Sequence, residues 1–436
     1  MNSDIITQAL TFVARSVHTD IFKRFLKVFS VDFLVRGGNF LLIFVFTAIM
    51  NQKEFGIYGY LYSFAMVMSG IVGFGFNVAM TKNYTDTIIH RNERLKDMLF
   101  TMTTSMILLL TIAIFAIYCT GTDKTFFVLM NNDSQTVFNY SNYRLYTAIA
   151  IISTVFTSYL TYYFVSAEKI KSIQRFNLLR FFLANGIAII VILTSDRDSA
   201  MLRLAATYLT ELLLTVMFGK MFLARGKFDW FFLKKALKIG LPIMGTSVVY
   251  AITNFGDKYF TMRYCGVEQF AVYNLAILIA MILIIVFQSF NFIWLPLFMK
   301  EQDLRLQRKK MKRFSLIIFL VFSVLSVLIW FGVMLLLNVG LLNAEYKGIL
   351  QLLPPLLASQ IAISLAQLYI NYMTYFEKTH IQFVFGVFVS AVAIGLYSFS
   401  VKYFGVMGIC YSLLAVNVIS FVFYFFRSGY YVANRL

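Results

Sequence analysis

Lys23-Arg-Phe-Leu-Lys27 opens one hydrophobic stretch and Lys234-Lys-Ala-Leu-Lys238 opens another. Each is followed by a similar tag: Glu54-Phe-Gly-Ile-Tyr58 after the first, Glu268-Gln-Phe-Ala-Val-Tyr273 after the second. One pattern is therefore written twice. Around these marks, apolar runs of about 20 residues recur, each long enough to cross roughly 30 Å of hydrocarbon as a helix. Two similar halves in a membrane protein point to a transporter whose site lies between them.

Composition agrees. With 436 residues, 60% apolar and 13% charged, the chain has too few polar side chains to coat a water-soluble body of that size. The shorter alternating segments of a transmembrane barrel are not found. The spacing predicts spans at 31–50, 55–79, 98–119, 144–166, 177–194, 200–223, 239–262, 269–297, 314–337, 349–375, 381–400 and 407–427. The expected fold is an all-α polytopic membrane protein of about twelve transmembrane helices in two parallel six-helix bundles around a central cavity. Six spans return the chain to its starting side, so the symmetry axis runs along the membrane normal.

Lys and Arg set the orientation. Lys82, Arg91, Arg94 and Lys96 follow span 2, and Lys300, Arg305, Arg308, Lys309, Lys310, Lys312 and Arg313 follow span 8. Only Lys53, Lys124, Arg197, Arg263, Lys347 and Lys402 fall on the other side. This places both termini in the cytoplasm. It also explains most of the net charge of +18 as basic loops beside anionic lipid, so nucleic acid is not an expected partner. Residues 1–30 read as a cytoplasmic amphipathic segment, 31–223 as the first bundle, 224–238 as a basic linker and 239–436 as the second bundle.

Chemical motifs are sparse. Three cysteines and three histidines are scattered without metal-ligand spacing. Neither a phosphate-binding loop nor a His-Glu-x-x-His motif occurs, so no cofactor, metal or hydrolytic step is expected. Transport would draw on a substrate or ion gradient or on a downstream reaction.

The informative residues are polar groups at helical spacing inside apolar spans, where an ionisable side chain costs at least about 2.5–3.5 kcal/mol and normally faces a cavity or a partner. Span 1 carries Asp32, Arg36 and Asn39 on a narrow arc. Span 7 carries Ser247, Tyr250, Asn254, Asp257, Lys258 and Thr261 on one side, and span 6 carries Arg203, Thr207 and Glu211 on one face. Span 8 adds Asn274, Gln288 and Asn291, and span 10 adds Gln360, Ser364, Gln367 and Asn371. Plainer readings stand beside these. Asp32 and Arg36 can form an anchoring salt bridge, and the amides can join helices to one another. Arg180, Arg203 and Lys220 lie near enough to span ends to snorkel to water. Gly70, Gly73 and Gly75 allow close helix approach, and Pro354-Pro355 should disturb the backbone pairing of span 10.

Three stretches carry a family resemblance. They are Phe55-Gly-Ile-Tyr58 with Gly73-Phe-Gly-Phe-Asn77, then Gly240-Leu-Pro-Ile with Asn254-Phe-Gly-Asp257-Lys258, then Ala271-Val-Tyr-Asn-Leu-Ala276 with Trp294-Leu-Pro296. With the twelve-span plan, the chain resembles the multidrug/oligosaccharidyl-lipid/polysaccharide exporter superfamily, and within it the Wzx-type O-antigen flippases. The resemblance implies two six-helix bundles around a cavity that opens alternately to either side of a bacterial inner membrane. It also implies a polyprenyl-diphosphate-linked oligosaccharide as substrate and a cationic lumen, which Arg36 and Lys258 match best. Asp257 and Glu211 depart from that pattern and would make the lumen mixed in charge.

On this reading Arg36, Asn39, Asn254, Lys258, Asn274, Gln288, Asn291, Gln360 and Gln367 would bind substrate. Glu211 and Asp257 would couple a proton or sodium ion. The rivals are a cation-coupled drug exporter that uses Glu211 and Asp257, an O-antigen polymerase or ligase, and a purely structural membrane scaffold, which the repeated halves and buried charges disfavour. The short outside loops disfavour the second.

Overall fold

The protein is represented by a computed structural model, which describes residues 20–89, 94–130, 138–195, 198–220, 226–301, 303–376 and 378–433. Within them the regular structure is helical throughout: α1 Asp20–Ile49, α2 Gln52–Val72, α3 Phe76–Ile89, α4 Leu95–Thr120, α5 Thr122–Met130, α6 Arg144–Ser166, α7 Ile170–Thr194, α8 Ser199–Phe218, α9 Trp230–Ala280, α10 Ile282–Lys300, α11 Leu304–Asn338, α12 Ile349–Tyr375 and α13 Thr379–Ala433. Of the amphipathic segment expected at 1–30, residues 1–19 lie outside the described residues, and the remainder begins α1. The Asp229 carboxylate accepts from Phe231 N and starts α9 at Trp230, within the segment read as the linker.

Among the described residues nine helices are long and apolar enough to cross a membrane. Two of these hold two spans each. Gly266 interrupts α9 (φ 83°, ψ 176°) and Gly405 interrupts α13 (φ 56°, ψ −140°), conformations that glycine adopts without the Cβ penalty. The chain doubles back at both. Tyr273 Oη donates to Asp257 Oδ2 at 2.5 Å, although sixteen residues of straight helix would hold them about 24 Å apart. Ser412 likewise reaches Ser400 across Gly405 at 2.7 Å. Divided at these glycines and joined by the apolar segment Gly37–Ile49 of α1, the helices fit the twelve-span plan.

Expectation and structure differ at the prolines. Pro354 and Pro355 lie in α12, which continues unbroken. Pro354 has no N–H to offer the carbonyl of Leu350, and Trp330 Nε1 donates to that oxygen instead at 3.0 Å. A neighbouring helix thus supplies the missing bond. α12 is the most buried of the spans and α11 lies at the perimeter, exposing Leu320, Val324, Val327, Phe331 and Leu335 to lipid.

Basic residues cluster at one end of the bundle, here the basic side; the other end is the far side. α9 is held against the first half on both sides of the bundle. On the basic side Lys235 pairs with Asp86 at 2.7 Å, Arg94 with Asp229 at 3.3 Å, and Lys227 N donates to Asp97 Oδ1 at 2.6 Å. On the far side Gln52 Nε2 donates to Glu268 O at 3.1 Å, and Gly56 lies against the Val267 carbonyl. A second backbone contact forms where α2 gives way to α3. Phe74 (φ 49°) and Gly75 (φ 64°) take left-handed conformations, and Gly240 packs directly on the Phe74 carbonyl.

Candidate functional site

Because contact between the halves runs mainly through α2–α4 and α9, the opposite flank is left to enclose a cavity of about 1690 Å³. α1, α2, α7 and α8 line it from the first half, and α9, α10, α12 and α13 from the second. Asn39, Glu211, Asn254, Asp257, Lys258, Asn274, Gln288, Gln360 and Gln367, far apart in sequence, all contribute to its wall.

Their depths coincide. Counting 1.5 Å per residue from the far-side helix ends puts Asn39, Glu211, Asp257 and Gln360 about 14–18 Å in, close to the middle of a bilayer core of roughly 30 Å. The lining continues to Gln288, Gln367 and His380 near the basic-side ends. Between α2, α5 and α9, Tyr60, Phe64, Phe126, Phe127, Phe255 and Phe270 form a packed aromatic cluster, with neighbouring ring centroids 5.0–6.5 Å apart.

One expected residue stands elsewhere. Asn291 is absent from the lining because Asn371 Nδ2 donates to its Oδ1 at 3.1 Å, joining α12 to α10. The Arg36 and Asp32 side chains lie outside the described residues.

The charged groups are arranged in specific ways. Lys258 Nζ donates to Asn254 O at 2.9 Å and stands 3.5 Å from Asp257 Oδ2. Asp257 is 1% exposed, accepts from Tyr273, and has no hydrogen-bond partner at Oδ1 among the described residues. Glu211 Oε1 lies 3.4 Å from Arg180 Nε.

Arg180 and Arg203 overturn the snorkelling reading. The helix around Arg180 begins at Ile170, not 177, so Arg180 is about 15 Å from the basic-side end rather than near it. A π-helical turn at Arg180–Ala184 re-registers the side chains there, and Arg180 reaches the cavity. Arg203 stays at the wall because its guanidinium is clamped between the rings of Phe46 and Tyr58, 3.4 and 3.8 Å from their centroids. No carboxylate pairs with Arg203 among the described residues. Sequence reasoning also passed over Asn417, whose Nδ2 donates to Ser359 Oγ at 2.7 Å, and Tyr58 and Tyr62, which were lost among 26 tyrosines.

The Polysacc_synt family profile, described as polysaccharide biosynthesis protein, matches residues 21–302. The chain belongs to the polysaccharide biosynthesis protein family. Structural neighbours agree on the fold. An inward-facing conformation of a multidrug resistance MATE family transporter of the MOP superfamily is similar at TM-score 0.68 and 13% identity, covering 92% of this chain and 98% of that one. An outward-facing conformation of such a transporter gives 0.58 at 13% identity, over 96% and 98%. A MOP superfamily transporter from Pyrococcus furiosus gives 0.54 at 12% identity, over 93% of each chain. No curated protein matches in sequence. This member of the polysaccharide biosynthesis family is therefore a multi-pass membrane protein with a MOP transporter fold.

Proposed function

We propose that the protein is a flippase that moves a polyprenyl-diphosphate-linked oligosaccharide from the cytoplasmic to the outer leaflet of a bacterial inner membrane, for O-antigen-like surface polysaccharide. The observation that carries this reading is the wall of the cavity. Amides from both halves surround it at mid-depth, each carboxylate has a cation beside it, and Arg203 is a further cation without an acidic partner among the described residues.

The basic side is cytoplasmic in this reading, with both termini there. The glycan enters the cavity while its polyprenyl tail stays in lipid. Arg180, Lys258 and Arg203 attract the diphosphate and hold acidic charge inside, because cations in a low-dielectric cleft focus their field on an anion. Arg36 remains a candidate for the same role. Asn39, Asn254, Gln288, Gln360, Gln367 and Asn417 offer donors and acceptors to sugar hydroxyls. Rocking of the two halves then opens the far side. Asp257, with its unpartnered Oδ1, and Glu211 are the groups through which a proton or sodium ion would couple.

A drug exporter would need carboxylates free to take up organic cations, whereas Glu211 and Asp257 already face Arg180 and Lys258. The test is leaflet-resolved labelling of lipid-linked glycan in cells with and without the gene. Loss of outer-leaflet glycan and of surface polysaccharide is expected. Unchanged glycan together with new drug sensitivity would overturn the proposal.

A further inference from the structure

A column of flat groups runs into the cavity from the first half. Phe46, 1% exposed, forms its base. The Arg203 guanidinium lies on it at 3.4 Å, and Tyr58 covers the other face of the guanidinium at 3.8 Å. Tyr62, one turn further along α2, continues the series in an offset stack, with centroids 6.1 Å from Tyr58 and planes 25° apart. The column ends there. The Tyr62 side chain is 37% exposed and lines the cavity about 15 Å from the far-side start of α2. Arg180 and Glu211, paired at 3.4 Å, line the same cavity.

We infer that Tyr62 is the platform of a sugar subsite, on which an uncharged pyranose ring stacks as the next member of the column. This deepens the flippase reading and rests on it. A pyranose has one face of C–H bonds and a rim of hydroxyls. The open face of Tyr62 suits the first, and the Arg180–Glu211 pair, with donors on one side and acceptors on the other, suits the second. Arg203 fixes Tyr58, and Tyr58 backs Tyr62, so the platform is ordered before the ligand arrives and little side-chain entropy remains to be lost. The charges also select against another stacking ligand. A planar organic cation placed on Tyr62 would meet Arg180 beside it and Arg203 behind it, with Glu211 already neutralised.

The test uses the full chain in proteoliposomes and a polyprenyl-diphosphate-linked N-acetylhexosamine disaccharide as probe. Tyr62→Ala should raise the half-saturating probe concentration by about fivefold or more, and Tyr62→Phe should recover most of that loss. Tyr62→Trp gives a direct readout. Its emission, after subtraction of the wild-type signal, should shift with the disaccharide lipid and stay constant with polyprenyl diphosphate lacking sugar. Wild-type saturation in Tyr62→Ala, or an equal Trp shift with the sugar-free lipid, overturns the platform and leaves the flippase reading intact. A wild-type protein that flips no lipid-linked disaccharide overturns both. So does a Trp shift with tetraphenylphosphonium but not with the disaccharide.

Discussion

Gly240→Ala probes the contact that brings the two halves together on the basic side. A Cβ at this position would lie 2.1 Å from the Phe74 carbonyl oxygen, where real Cβ contacts essentially never fall below 3.0 Å. Something must move by at least about 0.9 Å, the difference between those distances. The obstacle is backbone, and it cannot yield easily. Phe74 already holds φ 49° and Gly75 φ 64°, and Gly75 is itself pressed against Gly240. Overpacking of this kind costs about 1–3 kcal/mol, or about 5- to 150-fold in the folding equilibrium.

The assay follows from the cysteines. Cys410 is buried while Cys119 is exposed and Cys265 is half-buried, so a thiol-reactive dye in a Cys119→Ser/Cys265→Ser background reports thermal opening of the core. Gly332→Ala, where no atom lies within 4 Å of the added carbon, is the control and should melt at or slightly above the wild-type temperature. If Gly240→Ala melts with the wild type, the backbone contact between halves does not exist as described.

Other perturbations test the charges. Lys235 and Lys82 hold the Asp86 carboxyl below the ordinary aspartate range, so their bonds stabilise the fold above the unfolded-state pKa and are lost as pH falls through the depressed one. Asp86→Asn should therefore cost the same small amount, up to about 1 kcal/mol, at pH 6 and pH 8, and converge with the wild type only in strong acid. Asp257→Ala should destabilise by about 1.5–3 kcal/mol in the same dye assay, because Tyr273 and Lys258 lose their acceptor; Asp257→Asn should retain part of the Tyr273 bond, and equal melting of the two would refute it. Arg180→Gln and Glu211→Gln should each reduce flipping, and a double-mutant cycle should give a coupling of about 1 kcal/mol, since the pair is partly exposed to the cavity. Strict additivity would mean that the two act separately.

Hydrophobic runs and the bias of Lys and Arg are local properties, and they fix the membrane class and the approximate spans from sequence alone. The repeated Phe-Gly-Ile-Tyr and Phe-Ala-Val-Tyr tags do the same for the paired halves, and helical spacing puts Asn39, Glu211, Asn254 and Gln360 on polar faces. What each face meets is not local. Asn274 and Asn291 share span 8 and a chemistry, yet the first borders the cavity and the second is engaged by Asn371. Arg203 looked like a snorkelling cation because its clamp comes from Phe46 and Tyr58, about 150 residues away in the chain. Arg180 turned on a π-helical turn that no hydropathy pattern marks. Periodicity determines which side of a helix avoids lipid; only the packing of helices distant in sequence decides whether that side finds a partner or an aqueous chamber.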